Sequence, residues 1–363
     1  MKKIISLSLA LMLLLGILAV PAMAEEKQPS KVGVLSLLNF NEAKMKDLMT
    51  ARGILSMLSS RPPEDRQPPE GAPEGAPEGA PEGAPGKGGP DRRDMEPVFF
   101  DSLDEMLMSL NAGRIDRMEI YETTAKYLCA NNDQLYFMDD SMFDKDSPAA
   151  EILLTGILAN NFAFMMMEDH EALRDEFNTA IAAIKEDGTM EKLIAEYIDA
   201  AIEGKEIAPI RIEKIEGAET IKVGVTGDLP PMDYIAPDNT PAGFNTALLA
   251  EISRRIGKNI QLVQMASPAR APALASGAVD AVFWTRTSES AKQRLSMSEE
   301  EKQAAMEARV AKGDEEQNAR IDEALSLVSY EDYMAADMPE RTITTEPYYT
   351  DVIVTVKKKP EAK

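Results

Sequence analysis

Cysteine and histidine are almost absent from this chain, which contains one of each among 363 residues. The single cysteine, Cys129, excludes an intramolecular disulfide. Together with the single histidine, His170, it cannot supply a metal-ligand set or a nucleophile–base pair. The sequence also lacks a phosphate-binding loop motif. We therefore expect no metal, no cofactor and none of the common forms of nucleophilic catalysis.

Positive charge is also scarce. The chain has 39 Lys and Arg against 62 Asp and Glu, which gives a formal net charge of −23. Such a surface repels phosphate backbones, so the sequence argues against nucleic-acid binding. Hydrophobic residues make up 44% and charged residues 28%, as in a folded globular protein. The length is sufficient for two compact lobes, each with its own core.

Long apolar runs are missing except at the N-terminus. Lys2 and Lys3 precede an apolar stretch at 4–20, and Ala22 and Ala24 place small residues at the −3 and −1 positions of a signal-peptidase site. This pattern predicts a signal peptide cleaved after Ala24 and a periplasmic or secreted mature protein. A retained N-terminal anchor is the alternative.

Two stretches of unusual composition interrupt the chain. Residues 61–94 contain the tetrad Glu-Gly-Ala-Pro repeated from Glu70 to Pro85, which cannot bury a core and predicts an extended loop. Residues 296–337 are rich in Glu, Lys, Ala and Arg and predict a charged helical insertion with mostly polar faces. Docking of a partner protein is the alternative interpretation of each.

Strands and helices alternate in the downstream part of the chain. Apolar strands are predicted at 221–225, 260–265 and 279–284, separated by an amphipathic helix at 243–257 that ends on glycine and by a short helix at 269–276. Strands separated by helices indicate a parallel sheet, and hence an α/β fold.

The same region resembles the first lobe of the type II periplasmic solute-binding proteins, and it is most similar to the family that binds polar amino acids. The motifs that carry the resemblance are, in order, Val223–Val225, Pro230–Pro231 followed by Tyr234, Gly243–Asn245, Pro272–Ala281 and Thr285–Thr287. The closing segment TTEPYYTDVIVTVKKK resembles the segment that carries this family's chain across the hinge between its lobes.

Segments upstream resemble the second lobe of the same family, at 31–49, 98–128 and 159–198. Because the second half precedes the first, the resemblance implies a circular permutant opened at the hinge between 357–359 and Lys31. A tandem of two incomplete domains is the alternative.

The implied fold is α/β: two Rossmann-like lobes joined by a hinge, circularly permuted, with a low-complexity loop and a helical insertion. The expected divisions are a signal peptide at 1–24, lobe two at 25–158, a return strand and terminal helices at 159–203, a connector at 204–220, lobe one at 221–357 and a tail at 358–363.

The resemblance implies that two lobes close over a small polar solute, amino-acid-like in character, and deliver it to the membrane subunits of an ABC transporter. It further implies a monomer without enzymatic activity. Two alternatives stay open. One is a degenerate binding domain that acts as a sensor or interaction protein. The other is a periplasmic enzyme similar to cyclohexadienyl dehydratases, for which Glu119 and Glu122 would supply acid–base groups.

The ligand is expected between the lobes, at strand ends and helix-opening turns. Lobe one is expected to contribute Tyr234, Trp284, Thr285 and Arg286, with Arg270 as the alternative arginine, and lobe two to contribute Asn39, Tyr121 and Glu122. Arg286 is expected to bind an acidic group of the solute bidentately. The arginine and the acidic residue by which the family binds an amino acid align here with Ser290 and Tyr121, so the ligand's identity stays open.

Overall fold

The computed structural model describes most of the two predicted lobes. The described residues are 29–38, 45–60, 95–138, 143–144, 146–154, 159–236, 239–287, 298, 300–301, 304, 307, 315–327 and 339–359. The predicted signal peptide, the loop at 61–94 and most of the insertion at 296–337 lie outside these ranges. Within them, no helix has both the length and the apolar character needed to cross a bilayer.

The upstream part of the chain builds one half of a large sheet. Its strands are β1 (Ser30–Leu35), β2 (Met95–Phe100), β3 (Arg117–Tyr121) and β4 (Leu135–Met138). Strand β1 runs parallel to both β2 and β3 and lies between them. Val32 and Val34 of β1 are fully buried, as expected for a parallel strand covered on both faces. The helices of this half are α1 (Met45–Ser59), α2 (Leu103–Asn111), α3 (Glu122–Asn131) and α4 (Pro148–Ile152).

A long strand, β5 (Ala159–Met167), leads out of this half and is followed by helices. These are α5 (Glu171–Glu186), α6 (Thr189–Ile194) and α7 (Ala200–Ile202). Residues 203–219 then run without helix or strand to the next sheet strand.

The downstream part builds the other half of the sheet. Its elements are β6 (Thr220–Val225), α8 (Phe244–Ile256), β10 (Asn259–Gln264), α9 (Arg270–Ala275), β11 (Ala281–Thr287) and β12 (Thr342–Thr344), with α10 (Glu315–Leu327) inserted before β12. Strand β6 runs parallel to β10 and β11 and lies between them. A small separate sheet of β7 (Asp228–Leu229), β8 (Asp233–Ile235) and β9 (Pro241–Ala242) follows β6.

The two halves of the sheet are joined by pairing between β5 and the last strand, β13 (Tyr349–Lys358). These strands pair antiparallel, from Tyr349 opposite Phe162 to Val352 opposite Ala159. Strand β5 continues beside β11 and β12, and β13 continues beside β3 and β4. The strand order is therefore β10-β6-β11-β5-β12 in one half and β2-β1-β3-β13-β4 in the other. The predicted α/β class, with two lobes joined by hinge strands, is confirmed.

Aromatic side chains from both halves pack together at the paired segment of these two hinge strands. The ring of Phe162 on β5 lies edge-on to Tyr121 at 4.9 Å and to Phe283 at 5.1 Å between ring centroids. Such edge-to-face pairs add to the stabilisation from burial. Phe244, the first residue of α8, is fully buried and packs against Tyr348 and Tyr349.

Gly243 fixes the turn that leads into α8. It adopts a φ of +100°, and a Cβ placed there would lie 2.6 Å from the Pro231 carbonyl oxygen and 2.7 Å from that of Met232. Both carbonyls are in turn hydrogen-bonded by the N–H groups of Phe244 and Asn245, at 3.1 and 2.8 Å. A side chain at Gly243 would clash with backbone, so this turn requires glycine.

Candidate functional site

The carboxyl ends of strands from the two lobes face each other beside the hinge. The turn at Ser36–Leu38 follows β1, and the turn at Ser267–Ala269 follows β10. These turns contact each other, and the Arg270 guanidinium donates from Nη2 to the Leu37 carbonyl oxygen at 3.2 Å. The two lobes therefore meet at this point with the cleft between them closed. We call this cleft, between the turns and the hinge strands, the interlobe cleft.

Arg270 is a deeply enclosed charged group in this cleft, with 1% of its surface exposed. Besides Leu37, it donates to the carbonyl oxygens of Ser267 and Phe283, both at 3.0 Å. Its guanidinium carbon lies 4.6 Å from the centroid of the Trp284 ring, a cation–π contact. A guanidinium is thus held by backbone acceptors and an aromatic face.

Two aspartates lie on the lobe-one side of the cleft. Asp233 of β8 is buried, and its Oδ2 accepts from the N–H of Thr226 at 3.1 Å and from its hydroxyl at 3.2 Å. Burial raises the pKa of Asp233, against the opposing effect of these bonds, of the Gly227 N–H and of Arg270. Asp228 of β7 is half-buried, and burial, followed by the charge of Asp233, raises its pKa to about 6.

A third aspartate lies at the hinge. Asp351 of β13 is buried, and its Oδ2 accepts from the N–H of Thr123 at 3.2 Å, in the first turn of α3. The Thr123 hydroxyl is 3.0 Å from that of Tyr349. Burial raises the pKa of Asp351 to about 6, although its hydrogen bonds to Thr123 and to the Val352 N–H act in the opposite direction. An ionised carboxylate here is therefore costly to maintain.

Glu119, considered above as an acid–base group, lies in an ion-pair network inside lobe two. Its Oε2 contacts Nη1 of Arg52, and its Oε1 accepts from the Thr355 hydroxyl at 3.0 Å. Nε of Arg117 lies 3.6 Å from Oε1. Both carboxylate oxygens are engaged, so the geometry gives Glu119 a structural role.

The structure brings together some of the residues predicted to line the cleft. Trp284 contacts Arg270, and Thr285 is buried beside it on β11. The backbone of Arg286 pairs with Asn161 of β5, whereas its side chain is outside the described part. Asn39 also lies outside the described residues. Tyr234 is half-buried on β8, and burial raises its pKa.

On the lobe-two side, Tyr121 is fully buried and its ring packs on Phe162. Glu122 is partly exposed and forms an ion pair with Lys126 at 3.3 Å. Prediction from sequence missed the Leu37 carbonyl and three aspartates: Asp228, Asp233 and Asp351. Two acidic residues in the short segment GDLPPMD, directly after a predicted strand, were an available signal for Asp228 and Asp233. Among the described residues, no group of three or more His, Cys, Asp and Glu side chains could hold a metal ion.

Residues 221–336, which cover most of lobe one and include Asp228 and Asp233, match the family of bacterial extracellular solute-binding proteins, family 3. The resemblance to type II solute-binding proteins is confirmed for this region, and the match supports a solute-binding role. No curated protein matches the chain.

Solved structures similar to the chain include several proteins with bound ligands. The ligand-binding component of an ABC-type import system from Staphylococcus aureus, with zinc bound, is 10% identical, with 92% of this chain and 66% of that chain covered and a TM-score of 0.33. NikA from Staphylococcus aureus, in complex with Ni(L-His)2, is 10% identical, with 73% and 57% covered and a TM-score of 0.35. The GluR0 ligand-binding core from Nostoc punctiforme, in complex with L-glutamate, is 8% identical, with 91% and 85% covered and a TM-score of 0.31. The chain thus spans about two thirds or less of the first two structures.

Proposed function

We propose that this protein is an extracytoplasmic solute-binding protein that closes its two lobes over a small polar, amino-acid-like solute and delivers it to an ABC transporter. The observation that carries the proposal is the interlobe cleft itself. Strand ends from both lobes meet there, buried polar groups surround it, and two hinge strands connect the lobes across it. Closure about such a hinge buries a ligand and changes the surface offered to a partner.

We also propose that the chain is circularly permuted and opened within the hinge. Apart from the hinge strands β5 and β13, each lobe takes its strands from one part of the chain, and the first and last sheet strands both flank β3. Gly33 of β1 and Val356 of β13 pair with the same residue, Met118. A rearranged gene that joins 358 to 30 through a short linker and opens in 205–218 should give a folded monomer. A domain-exchanged dimer of either form would favour two incomplete domains.

Export is part of the proposal, because a solute-binding protein of this kind works outside the cytoplasm. Intact-mass measurement on the protein recovered from a periplasmic extract should give a chain that begins at Glu25. A chain that retains residues 1–24 and stays with the membrane would contradict this cleavage.

The function itself is tested by a ligand screen on the mature protein. Thermal-shift measurements against single amino acids, amines and small organic acids should identify a class that raises Tm with a saturable dependence on concentration. Titration calorimetry then gives the affinity, and small-angle X-ray scattering shows whether the ligand changes the lobe arrangement. A chain that binds none of these solutes would contradict the proposal.

One observation favours a second candidate, a degenerate binding domain that acts as a sensor or interaction protein. Arg270 of lobe one fills part of the interlobe cleft and bonds to Leu37 of lobe two. A chain that keeps its cleft closed in this way need not bind a solute. The same screen separates the two candidates, because a degenerate domain would show no saturable shift with any solute. For the enzyme alternative, the engaged Glu119 removes one of the two acid–base groups.

A further inference from the structure

We propose that helix α10 (Glu315–Leu327) limits how far the two lobes separate, because it belongs to the chain of lobe one and docks on lobe two. We call α10 the strap helix. The inference concerns the motion of the lobes, so it goes beyond the proposed function and holds whether or not the cleft binds a solute.

The chain enters and leaves the strap helix from lobe one. Strand β11 precedes the helix and β12 follows it, and both strands pair with β5. These pairings hold both ends of the insertion in the lobe-one half of the sheet. Any contact of the strap helix with lobe two is therefore a link between the lobes that is separate from the hinge strands.

The strap helix packs against α1 (Met45–Ser59) of lobe two. Gln317, Ile321 and Ala324 lie on one face of the helix, since residues three and four apart are neighbours on its surface. Ile321 and Ala324 are fully buried in the apolar core that α1 also lines, and Gln317 Nε2 donates to the Leu58 carbonyl oxygen at 3.3 Å. Within the described part of the chain, no element of lobe one has contacts of this extent with the strap helix.

This contact lies away from the hinge. Helix α1 packs on β2, the edge strand of its half, which β1 and β3 separate from β13. When two lobes rotate about a hinge, points far from the hinge axis move apart most. Separation of the lobes must therefore undock the strap helix, which exposes Ile321 and Ala324, or extend the chain that connects it to lobe one. The first costs apolar burial and the second costs chain entropy.

The strap helix also depends on α1 for its own folding. It has 13 residues, and a helix of that length is marginally stable in water by itself. Its other faces are largely exposed, with Glu315, Ala319 and Glu323 among the exposed residues. Undocking would therefore unfold the helix as well, so docking on α1 and restraint of the lobes occur together.

The experiment measures the distance between the lobes in the full mature protein without added solute. Spin labels are attached at Asp133→Cys on lobe two and Ser276→Cys on lobe one, in a Cys129→Ser background. Both positions are exposed and follow the ends of α3 and α9 that lie opposite the cleft. Pulsed electron paramagnetic resonance should give one narrow distance distribution in this parent chain. A broad distribution in the parent would contradict the restraint.

Ile321→Asp places an unpaired charge in the apolar contact and should release the strap helix. A second population at longer interlobe distance should appear, with the ratio of open to closed molecules raised about 10-fold or more, as for loss of the burial of one large apolar side chain. The matched control is Leu325→Asp, which introduces the same charge at an exposed apolar residue of the same helix and should leave the distribution unchanged.

A second measurement keeps the test decisive if Ile321→Asp does not fold. Protease sites introduced within 288–297 and 328–338 allow the purified protein to be cut on both sides of the strap helix. Cleavage preserves the residues of the α1 contact and removes only the connection to lobe one, so the interlobe distance should increase. An unchanged distribution after both cuts would overturn the inference. So would a folded Ile321→Asp chain with a lower Tm and an unchanged distance, because the helix would then only stabilise lobe two.

Discussion

Buried carboxylates inside lobe two and at the interlobe cleft are compensated in different ways. Glu119 of lobe two lies against Arg52 and has Arg117 close by. Asp351 at the hinge is stabilised by neutral donors, the N–H groups of Thr123 and Val352. Burial therefore raises the pKa of Asp351 to about 6. The carboxylate inside lobe two is thus paired with cations, whereas the one at the hinge is bound by neutral donors.

The same contrast holds on the lobe-one side of the cleft. Asp233 is bound by the N–H and hydroxyl of Thr226, and burial raises its pKa, as it does that of Asp228. Incompletely compensated acids of this kind cost stability, and they gather at functional sites more often than elsewhere. The raised pKa values of these cleft acids support the binding role that we propose for the cleft.

Among these predictions, removal of the ion-paired carboxylate of Glu119 is expected to have the largest effect on the free energy of unfolding. Glu119→Gln leaves Arg52 and Arg117 largely enclosed without their counter-charge, which should lower the free energy of unfolding by about 3–5 kcal/mol. Urea denaturation followed by circular dichroism measures this loss. The matched control is Glu203→Gln, which breaks an exposed ion pair with Lys205 and should give no measurable change. Equal, small losses in both variants would remove the contrast between lobe and cleft.

Local patterns in the sequence were sufficient to predict the main strands and helices of lobe one, but not its small separate sheet or β12. The strand predicted at 221–225 is observed at Thr220–Val225, and the helix predicted at 243–257 is observed at Phe244–Ile256. Apolar periodicity and the flanking glycines, Gly243 and Gly257, carry this information because they act over a few residues. The α/β class then follows from the alternation of these elements.

Contacts between distant residues could not be predicted in the same way. Asp351 binds the Thr123 N–H across 228 residues, and Arg270 binds the Leu37 carbonyl across 233. Neither pair leaves a local pattern in the sequence, because a backbone group carries no residue signature. Trp284 and Thr285 could be proposed as site residues because they lie at the end of the strand predicted at 279–284, whereas the charge of the cleft depends on which distant strands meet there.

Asp351→Asn should change the free energy of unfolding in the opposite direction to Glu119→Gln. Because the pKa of Asp351 is raised from 3.8 to about 6 in the folded state, the unfolded chain binds fewer protons between these values, and stability falls as the pH rises through this window. Asparagine cannot ionise, so the variant should be more stable than the wild type at pH 8, by on the order of 1–3 kcal/mol. The measurement is urea denaturation at several pH values from 4 to 8.

Asp187 provides the control for this pH dependence. Its hydrogen bonds to Thr189 and Arg255 lower its pKa to about 2, so its contribution is present above pH 4 and lost as the pH falls towards 2. Asp187→Asn should therefore lower stability by a constant amount from pH 4 to 8, with no change of slope in that interval, and should alter the slope only below pH 4. If Asp351→Asn were less stable than the wild type at pH 8, its hydrogen bond to Thr123 would outweigh the cost of its burial.

The smallest effect on stability is expected at the contact that joins the lobes. Arg270→Lys keeps the positive charge beside Asp228 and Asp233 but lacks the planar fork that reaches three carbonyl groups at once. Loss of the bond to Leu37 should lower the free energy of unfolding by about 1 kcal/mol, the net contribution of one hydrogen bond. Because this bond spans the cleft, the lobes should also separate, and small-angle X-ray scattering should give a larger radius of gyration. Arg254→Lys, on the exposed face of α8, should change neither quantity. An unchanged radius in Arg270→Lys would mean that the arginine serves the core of lobe one, and that other contacts hold the cleft closed.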